Sequence, residues 1–344
     1  MENKTTDNFN KQLEYNSMKT YLHRLRNNDA IFNEVRYATG FTELDIALSG
    51  GFVAGLHCIG AISSIGKTTF VLQMGDNMAR NGMPVIIFSL EMRPEQLVAK
   101  NVSRNMYLVA LEHLDKYYRN HYAKGYAELM SEKCRKSFTD DEQILYAKSL
   151  EWAEKPLADI QIVSEKEDGR PFDIEEIVNY INSYIFVTKK KPVVIIDYLQ
   201  FIRPGKTMNG GTDKQIMDYI ISMLVSTAKM QRIPIIAISS LNRGGYDSPL
   251  TMASFKESGF IEYSCETLLG LQLKGVGEKD FNINVAKAKN PREVELVLLK
   301  GRGIEVGTVI DYLFYGKHNF FEELGRVKQE KENVETKTER KRVR

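Results

Sequence analysis

Short runs of apolar, largely β-branched residues alternate along this chain with stretches in which apolar positions recur every three to four residues. The runs are Leu56–Ile59, Pro84–Leu90, Pro192–Ile196 and Pro234–Ile238. Each is too short for a buried helix and is continuous rather than alternating, which predicts strands covered on both faces. Thr68 to Arg80 follows the first run with Phe70, Val71, Leu72, Met74 and Met78 at helical spacing. Strands separated by helical patterns predict an α/β fold, a mostly parallel central sheet flanked by helices. Such a sheet binds ligands beyond the carboxyl ends of its strands.

Polar residues gather at those ends. Pro84–Leu90 ends at Glu91, Pro192–Ile196 at Asp197, and Pro234–Ile238 at Ser239 and Ser240. The first run leads into Gly-Ala-Ile-Ser-Ser-Ile-Gly-Lys-Thr-Thr, residues 60–69, which reads as a phosphate-binding loop between strand and helix. The strict pattern has Gly where this chain has Ala61, so the strand–loop–helix context carries the assignment. Ser63, Ser64, Ile65, Gly66, Lys67, Thr68 and Thr69 are the candidate nucleotide-binding residues. Gly66 lets backbone N–H groups turn inward around a phosphate, and Lys67 reaches the terminal phosphates. Thr68 and Asp197 are placed to hold Mg²⁺, and Glu91 to orient and deprotonate an attacking water. A lone carboxylate at a strand end more often caps a helix or sits on a solvated rim. Two of them flanking a phosphate loop favour the crevice, with ATP and Mg²⁺ as expected cofactors.

At 344 residues, 43% hydrophobic and 27% charged, the chain can bury one large core plus extensions. No apolar run approaches the ~18 residues of a membrane span, and the first residues are polar, so neither a signal peptide nor a span is predicted and a cytoplasmic location is expected. Cys58, Cys134 and Cys265 lie far apart without metal-ligand spacing, which predicts reduced thiols and no zinc. The net charge of +2 conceals a tail, residues 326–344, with eight Lys/Arg against four Glu. A tail so charged and so poor in apolar residues is expected to be disordered. A body without excess positive charge argues for nucleic-acid contact through a few loops rather than a basic coat.

Taken in order, Thr39-Gly40-Phe41 with Leu44-Asp45, Gly50-Gly51, the 61–69 loop, Ser89-Leu90-Glu91-Met92 and Ile196-Asp197-Tyr198-Leu199-Gln200 resemble the motor domain of DnaB-type replicative helicases. Ser239–Arg243, Lys256-Glu257-Ser258-Gly259 and Lys300-Gly301-Arg302 continue the resemblance, which extends over about residues 36–321. It implies a RecA-like P-loop NTPase fold, ATP hydrolysis, a homo-oligomer in the form of a hexameric ring, and single-stranded DNA, loader or primase proteins as partners. Position by position, it implies that Lys300 and Arg302 enter the neighbouring subunit's nucleotide site as catalytic cations. Lys256, Glu257 and Gly259 match the loop that holds DNA phosphates; Ser240, Asn242 and Arg243 match the segment that couples nucleotide state to DNA. One departure stands out: the family has Gln where this chain has Ser240, and a short hydroxyl spans less. Without the resemblance, Lys300 and Arg302 read as a solvated strand face.

Three segments follow. Residues 1–36, with Phe9, Leu13, Met18, Tyr21, Leu22 and Leu25 at helical spacing, are expected to form a linker or oligomerisation helix, the alternative being a helix packed on its own domain. Residues 37–325 form the motor domain and 326–344 the charged tail. Within the motor, residues 101–155 are helical and Tyr-rich; the interleaved bases and aromatics of Lys116–Tyr122 suit base stacking, whereas tyrosines at helical spacing also pack a helical lid. The chain begins too late for the further N-terminal helical domain that the resemblance brings with it. The expected function is an ATP-dependent DNA helicase. The alternative is a RecA-fold, DNA-dependent ATPase acting as a recombination mediator or assembly switch without unwinding.

Overall fold

The computed structural model describes residues 17–27, 29, 34–113, 121–154, 157–164, 169–208, 210–241, 248–255 and 258–326. The continuous apolar runs form the centre of the sheet. Gly55–Ala61 (β1), Val85–Ser89 (β2), Ile160–Val163 (β3), Val193–Asp197 (β4), Pro234–Ser240 (β5) and Thr267–Leu273 (β6) pair with one another in parallel. Except for the edge strand β3, they are buried along nearly their whole length, as helices on both faces require. Arg292–Gly301 (β7), Val309–Tyr315 (β8) and Phe320–Arg326 (β9) then extend the sheet in antiparallel fashion. Here burial alternates: Val294, Leu296 and Leu298 in β7, and Ile310, Tyr312 and Phe314 in β8, face the core. The nine strands run in the order β3-β2-β4-β5-β1-β6-β7-β8-β9.

Helices Met18–Arg26 (α1), Thr42–Ala47 (α2) and Lys67–Arg80 (α3) precede β2. The phosphate-loop helix α3 buries most of its length under the sheet, from Thr69 to Ala79. Pro94–His113 (α4), Tyr126–Met130 (α5), Glu132–Lys136 (α6) and Asp140–Glu154 (α7) come from the Tyr-rich region. They build a second apolar cluster from Val102, Met106, Tyr107, Ala110, Leu129, Phe138 and Leu145, against which Tyr315 and Phe320 of the outer hairpin pack. Tyr107, Tyr122, Tyr126 and Tyr146 pack within this cluster; residues 116–120 of the basic-aromatic string lie outside the described residues. Ile174–Thr188 (α8) and Asp213–Gln231 (α9) cover the other side, each begun by a reciprocal capping box, Asp173 with Glu176 and Thr212 with Gln215. Ser258–Ser264 (α10) and Ile283–Ala288 (α11) complete the α-helices among the described residues.

The α1 helix buries none of its residues. Met18, Leu22 and Leu25 are 74%, 55% and 51% exposed on one face, so this stripe does not pack on its own domain. Phe9, Leu13 and the tail beyond Arg326 lie outside the described residues. No helix among the described residues is long and apolar enough to cross a membrane.

Candidate active site

The loop leaves the sheet at Ala61, the last residue of β1, which is buried and pairs with Ser240 and Leu271. The position that departs from the strict phosphate-loop pattern therefore lies inside the strand, where Ala is as suitable as Gly. Ser63 and Ser64 are exposed, Ile65 is buried as an anchor, and the chain turns through left-handed conformations at Ser64 (φ 68°) and Gly66 (φ 100°). A Cβ at Gly66 would lie 2.8 Å from Phe321 Cζ and 2.9 Å from Phe314 Cζ, so only glycine permits both the turn and the close approach. The helix α3 starts at Lys67 with no side-chain cap. Its first N–H groups thus face the loop without an intrahelical acceptor, the arrangement that receives a phosphate.

Asp197, at the end of β4, is 5% exposed. Burial pushes its carboxyl up to about 6; the Thr68 hydroxyl bonded to it and the charges of Lys67 and Lys100 pull down, while Glu91 adds to the push. Its Oδ2 is buried without a hydrogen-bond partner. A carboxylate oxygen left over beside a threonine hydroxyl is a fitting pair of hard oxygen donors for Mg²⁺. Lys67 Nζ lies 6.0 Å from the Tyr198 ring centre, on the same side. Glu91 is exposed just beyond β2, and the two strand ends are tied where Leu90 N–H donates to the Asp197 carbonyl at 2.8 Å. Lys67, Thr68, Glu91 and Asp197 thus converge on one crevice.

Elsewhere the predicted residues disperse. Ser240 ends β5, and its N–H donates to Gln200 Oε1 at 3.3 Å, while Gln200 Nε2 donates to Ser239 Oγ at 3.2 Å. An amide three residues beyond Asp197 thereby reaches across to the β5 end, where Ser240 itself is short. Asn242, Arg243, Lys256 and Glu257 lie outside the described residues. Gly259 falls in the first turn of α10. The Lys300 ammonium is held by backbone carbonyls of its own chain, and the Arg302 side chain is 77% exposed, 3.5 Å from Glu266. Neither is paired with the crevice of its own subunit.

Three contributors escaped the sequence reading. Lys100 of α4 donates to Asn319 Oδ1 at 3.0 Å and lies 3.4 Å from Thr69 Oγ1; burial lowers its affinity for a proton, and the Asp197 charge restores part of it. Its signal was a lysine three residues after the apolar Leu97, on the buried face of a helix. Arg292 donates to the Ser64 carbonyl at 2.6 Å, bracing the loop from β7. Gln200 lay inside a recognised string but had no assigned task.

The model of the DnaB-like helicase C-terminal domain family matches residues 37–323. The replicative DNA helicase DnaB of Geobacillus stearothermophilus is 28% identical over 293 residues, and the replicative DNA helicase DnaC of Bacillus subtilis (strain 168) 28% identical over 297. Each alignment covers 84% of this chain and 56% of the relative, so the chain spans about half the length of the curated relatives it matches. Among solved structures, the ATPase domain of G40P superposes with a TM-score of 0.70 at 20% identity, covering 90% of this chain and 99% of that one. A DnaB-like replicative helicase solved with its interactions with primase gives 0.68 at 20% identity, covering 89% and 66%. These two likenesses show that the chain shares the fold of those domains.

Proposed function

The chain belongs to the family of DnaB-like helicase C-terminal domains, and from that membership we propose that it is the motor of an ATP-dependent DNA helicase. Six RecA-type subunits form a ring that moves along single-stranded DNA and hydrolyses ATP at its interfaces. The observation that carries this reading is the convergence of Lys67 and Thr68, which open the helix after β1, with Glu91 and the buried, half-partnered Asp197 at the ends of the neighbouring strands β2 and β4. The uncapped start of α3 and Lys67 bind the phosphates of ATP. Thr68 and Asp197 hold Mg²⁺, which when bound offsets charge developing on the transferred phosphoryl group. Glu91, exposed toward solvent, orients the attacking water and takes its proton. Arg302 reaches the adjacent subunit's site, where its guanidinium stabilises the developing charge. The loop at Lys256, Glu257 and Gly259 holds DNA phosphates, and Ser240, Asn242 and Arg243 couple the two sites, with Gln200 gripping the β5 end. A primase or a loader is the expected protein partner, and the cytoplasm the expected location.

The test is unwinding of a forked duplex together with ATPase rates with and without single-stranded DNA. DNA-stimulated ATPase with unwinding supports the helicase. Stimulation without unwinding favours the mediator or assembly switch, and no ATPase sinks both.

A further inference from the structure

Helices α8 and α9 end side by side at the amino ends of β4 and β5. Gln231 Nε2, on the last residue of α9, donates to Asn182 Oδ1 of α8 at 2.8 Å. Phe186 lies one turn further along that face of α8 and so stands beside the end of α9. Each helix then stops at a basic residue in the left-handed region, Lys189 (φ 58°) and Arg232 (φ 53°). Around these two ends Phe186, Val187 and Met230 are 74%, 76% and 72% exposed. Large apolar side chains gathered in water and rimmed by charge mark an interaction surface rather than a solvated one.

The rim is of one sign. Lys189, Lys190, Lys191, Lys229 and Arg232 are all exposed. Of these, Lys190 alone is paired, with Asp159 at 3.0 Å; no carboxylate among the described residues pairs with the other four. The negative ends of two helix dipoles account for one cation each. They account neither for the remaining cations nor for the exposed apolar groups between them.

Charge also decides among occupants. The α1 helix, which has its own exposed apolar stripe, contains Lys19, His23, Arg24 and Arg26 and no Asp or Glu, so it is repelled here. The tail 326–344 is net positive, and residues 1–16 are close to neutral, with Glu2, Asp7 and Glu14 against Lys4 and Lys11. A second copy presenting the same patch would set one basic rim against another. Nucleic acid would satisfy the cations but leave Val187 and Met230 without use, since bases stack on aromatic faces. The one aromatic ring, Phe186, already has Lys189 Nζ 4.3 Å from its centre.

We propose that the paired ends of α8 and α9 form a docking surface for an acidic segment of another protein. Apolar side chains of that segment cover Phe186, Val187 and Met230, while its carboxylates meet Lys189, Lys191, Lys229 and Arg232. The five residues of β4 put about 16 Å between this surface and the crevice at the other end of the strand. A partner held here therefore leaves the nucleotide site open, and the proposal stands whether or not the chain unwinds DNA.

The test measures fluorescence anisotropy of a labelled peptide, Glu-Asp-Glu-Leu-Phe-Glu-Asp-Leu-Glu-Asp, with the full chain. Two control peptides replace its apolar residues by Ser or its acidic residues by Lys. The variants are Phe186→Ser with Met230→Ser, and Lys189→Glu with Lys191→Glu; all four positions are exposed, so both should fold. Each variant is expected to weaken binding by ~10-fold or more, as loss of a contact cluster does. The charge variant should also flatten the salt dependence. The Ser peptide should bind as weakly to wild type as the acidic peptide does to the apolar variant, and the Lys peptide not at all. Hydrogen exchange should show protection of 182–191 and 226–232 by the acidic peptide. No binding at ~1 mM peptide, the weak end of specific association, overturns the proposal, as does equal binding by wild type and both variants. If charge reversal weakens binding of a duplex DNA probe but not of the peptide, the surface contacts nucleic acid instead. If the apolar variant changes the mass of the assembly in solution, the surface joins copies of this chain, and the proposal likewise fails.

Discussion

The nucleotide crevice and the segment that carries Arg302, the finger segment, differ in who completes them. In the crevice, Lys67, Thr68 and Asp197 stand at the ends of β1 and β4, strands whose apolar residues are 0–1% exposed. The same burial that holds the sheet together fixes these groups before any ligand arrives, which is the preorganisation that phosphoryl transfer needs. The finger segment is the reverse. Arg302 projects from the β7–β8 turn with a side chain 77% exposed and one loose ion pair, an interaction worth little in water. A guanidinium so placed has its full effect only when something outside its own chain receives it. On the proposed function, one region is finished by folding and the other by assembly.

Breaking this contrast at its outer half should give the largest effect. Arg302→Ala is expected to bind ATP as wild type does yet lose on the order of 10³-fold or more in hydrolysis, the scale of an arginine finger. Mixed with Lys67→Ala subunits under conditions of exchange, it should recover part of the activity, with a yield that rises with protein concentration. Such rings contain interfaces with an intact loop on one side and an intact finger on the other, whereas neither pure ring has any. A mixture as inactive as its components, with exchange confirmed independently, would return Arg302 to an ordinary solvated strand face.

Breaking the inner half costs somewhat less, because several groups share the work there. Lys67→Ala removes a cation from the phosphates and should lower turnover ~10²- to 10³-fold, the cost of one charge-stabilising donor. Glu91→Gln should leave ATP affinity intact while slowing hydrolysis ~10²-fold or more, since an amide keeps the shape but cannot take a proton. Equilibrium titration with a nucleotide distinguishes the two. If affinity falls together with rate in Glu91→Gln, then Glu91 holds the ligand instead of the water.

The same contrast explains what could be read from the residues alone. Strands buried on both faces announce themselves as continuous apolar runs, so β1, β2, β4 and β5 were placed to within a residue or two, and α3 begins one residue earlier than its spacing suggested. The residues after each run then had to converge, because parallel strands all present the same end. Side-chain reach across elements left weaker traces. Lys100, Arg292 and Gln200 act through distances between elements far apart in the chain, and a periodic pattern identifies the buried face of a helix without saying what it faces. The antiparallel extension β7–β9 carried a period-2 signal in Val294, Leu296 and Leu298, yet its consequence, a hairpin whose Phe314 and Phe321 press on Gly66, is purely tertiary. Lys300 shows the limit most plainly. A Lys-x-Arg string carries no sign that the lysine turns back onto backbone carbonyls of its own chain.

Preorganisation has a measurable cost at Asp197. Its carboxyl lies near 6 in the fold against an ordinary 3.8, chiefly through burial, so the fold binds the proton more tightly than the unfolded chain does. Stability from this group is greatest at low pH and is lost as pH rises from about 4 through about 6, then stays level. In the nucleotide- and metal-free protein, Asp197→Asn is therefore expected to be more stable than wild type at pH 7, by at most ~3 kcal/mol from the shift, with the advantage fading toward pH 4. Mg²⁺ and nucleotide should raise the melting temperature of wild type more than that of the variant. A pH-independent loss of stability in Asp197→Asn would mean that the Thr68 bond, rather than burial of charge, governs this carboxylate.

The smallest expected effect tests the outer region on its DNA side. Lys256 rests on the resemblance alone, as the one basic residue of the loop that leads into α10, and a single phosphate contact contributes about one unit to the slope of log affinity against log salt. Lys256→Ala should flatten that slope by about one unit and weaken binding uniformly across sequences, since a phosphate carries no base identity. ATP affinity without DNA should be unchanged, because the crevice is complete in its own chain. The measurement bears on the contrast itself. If the slope stays the same, DNA is held elsewhere, with the basic and aromatic residues around Lys116–Tyr122 the next to substitute. If instead ATP affinity falls in the absence of DNA, the outer loop and the crevice are not separable regions, and the division between folding and assembly fails at this point.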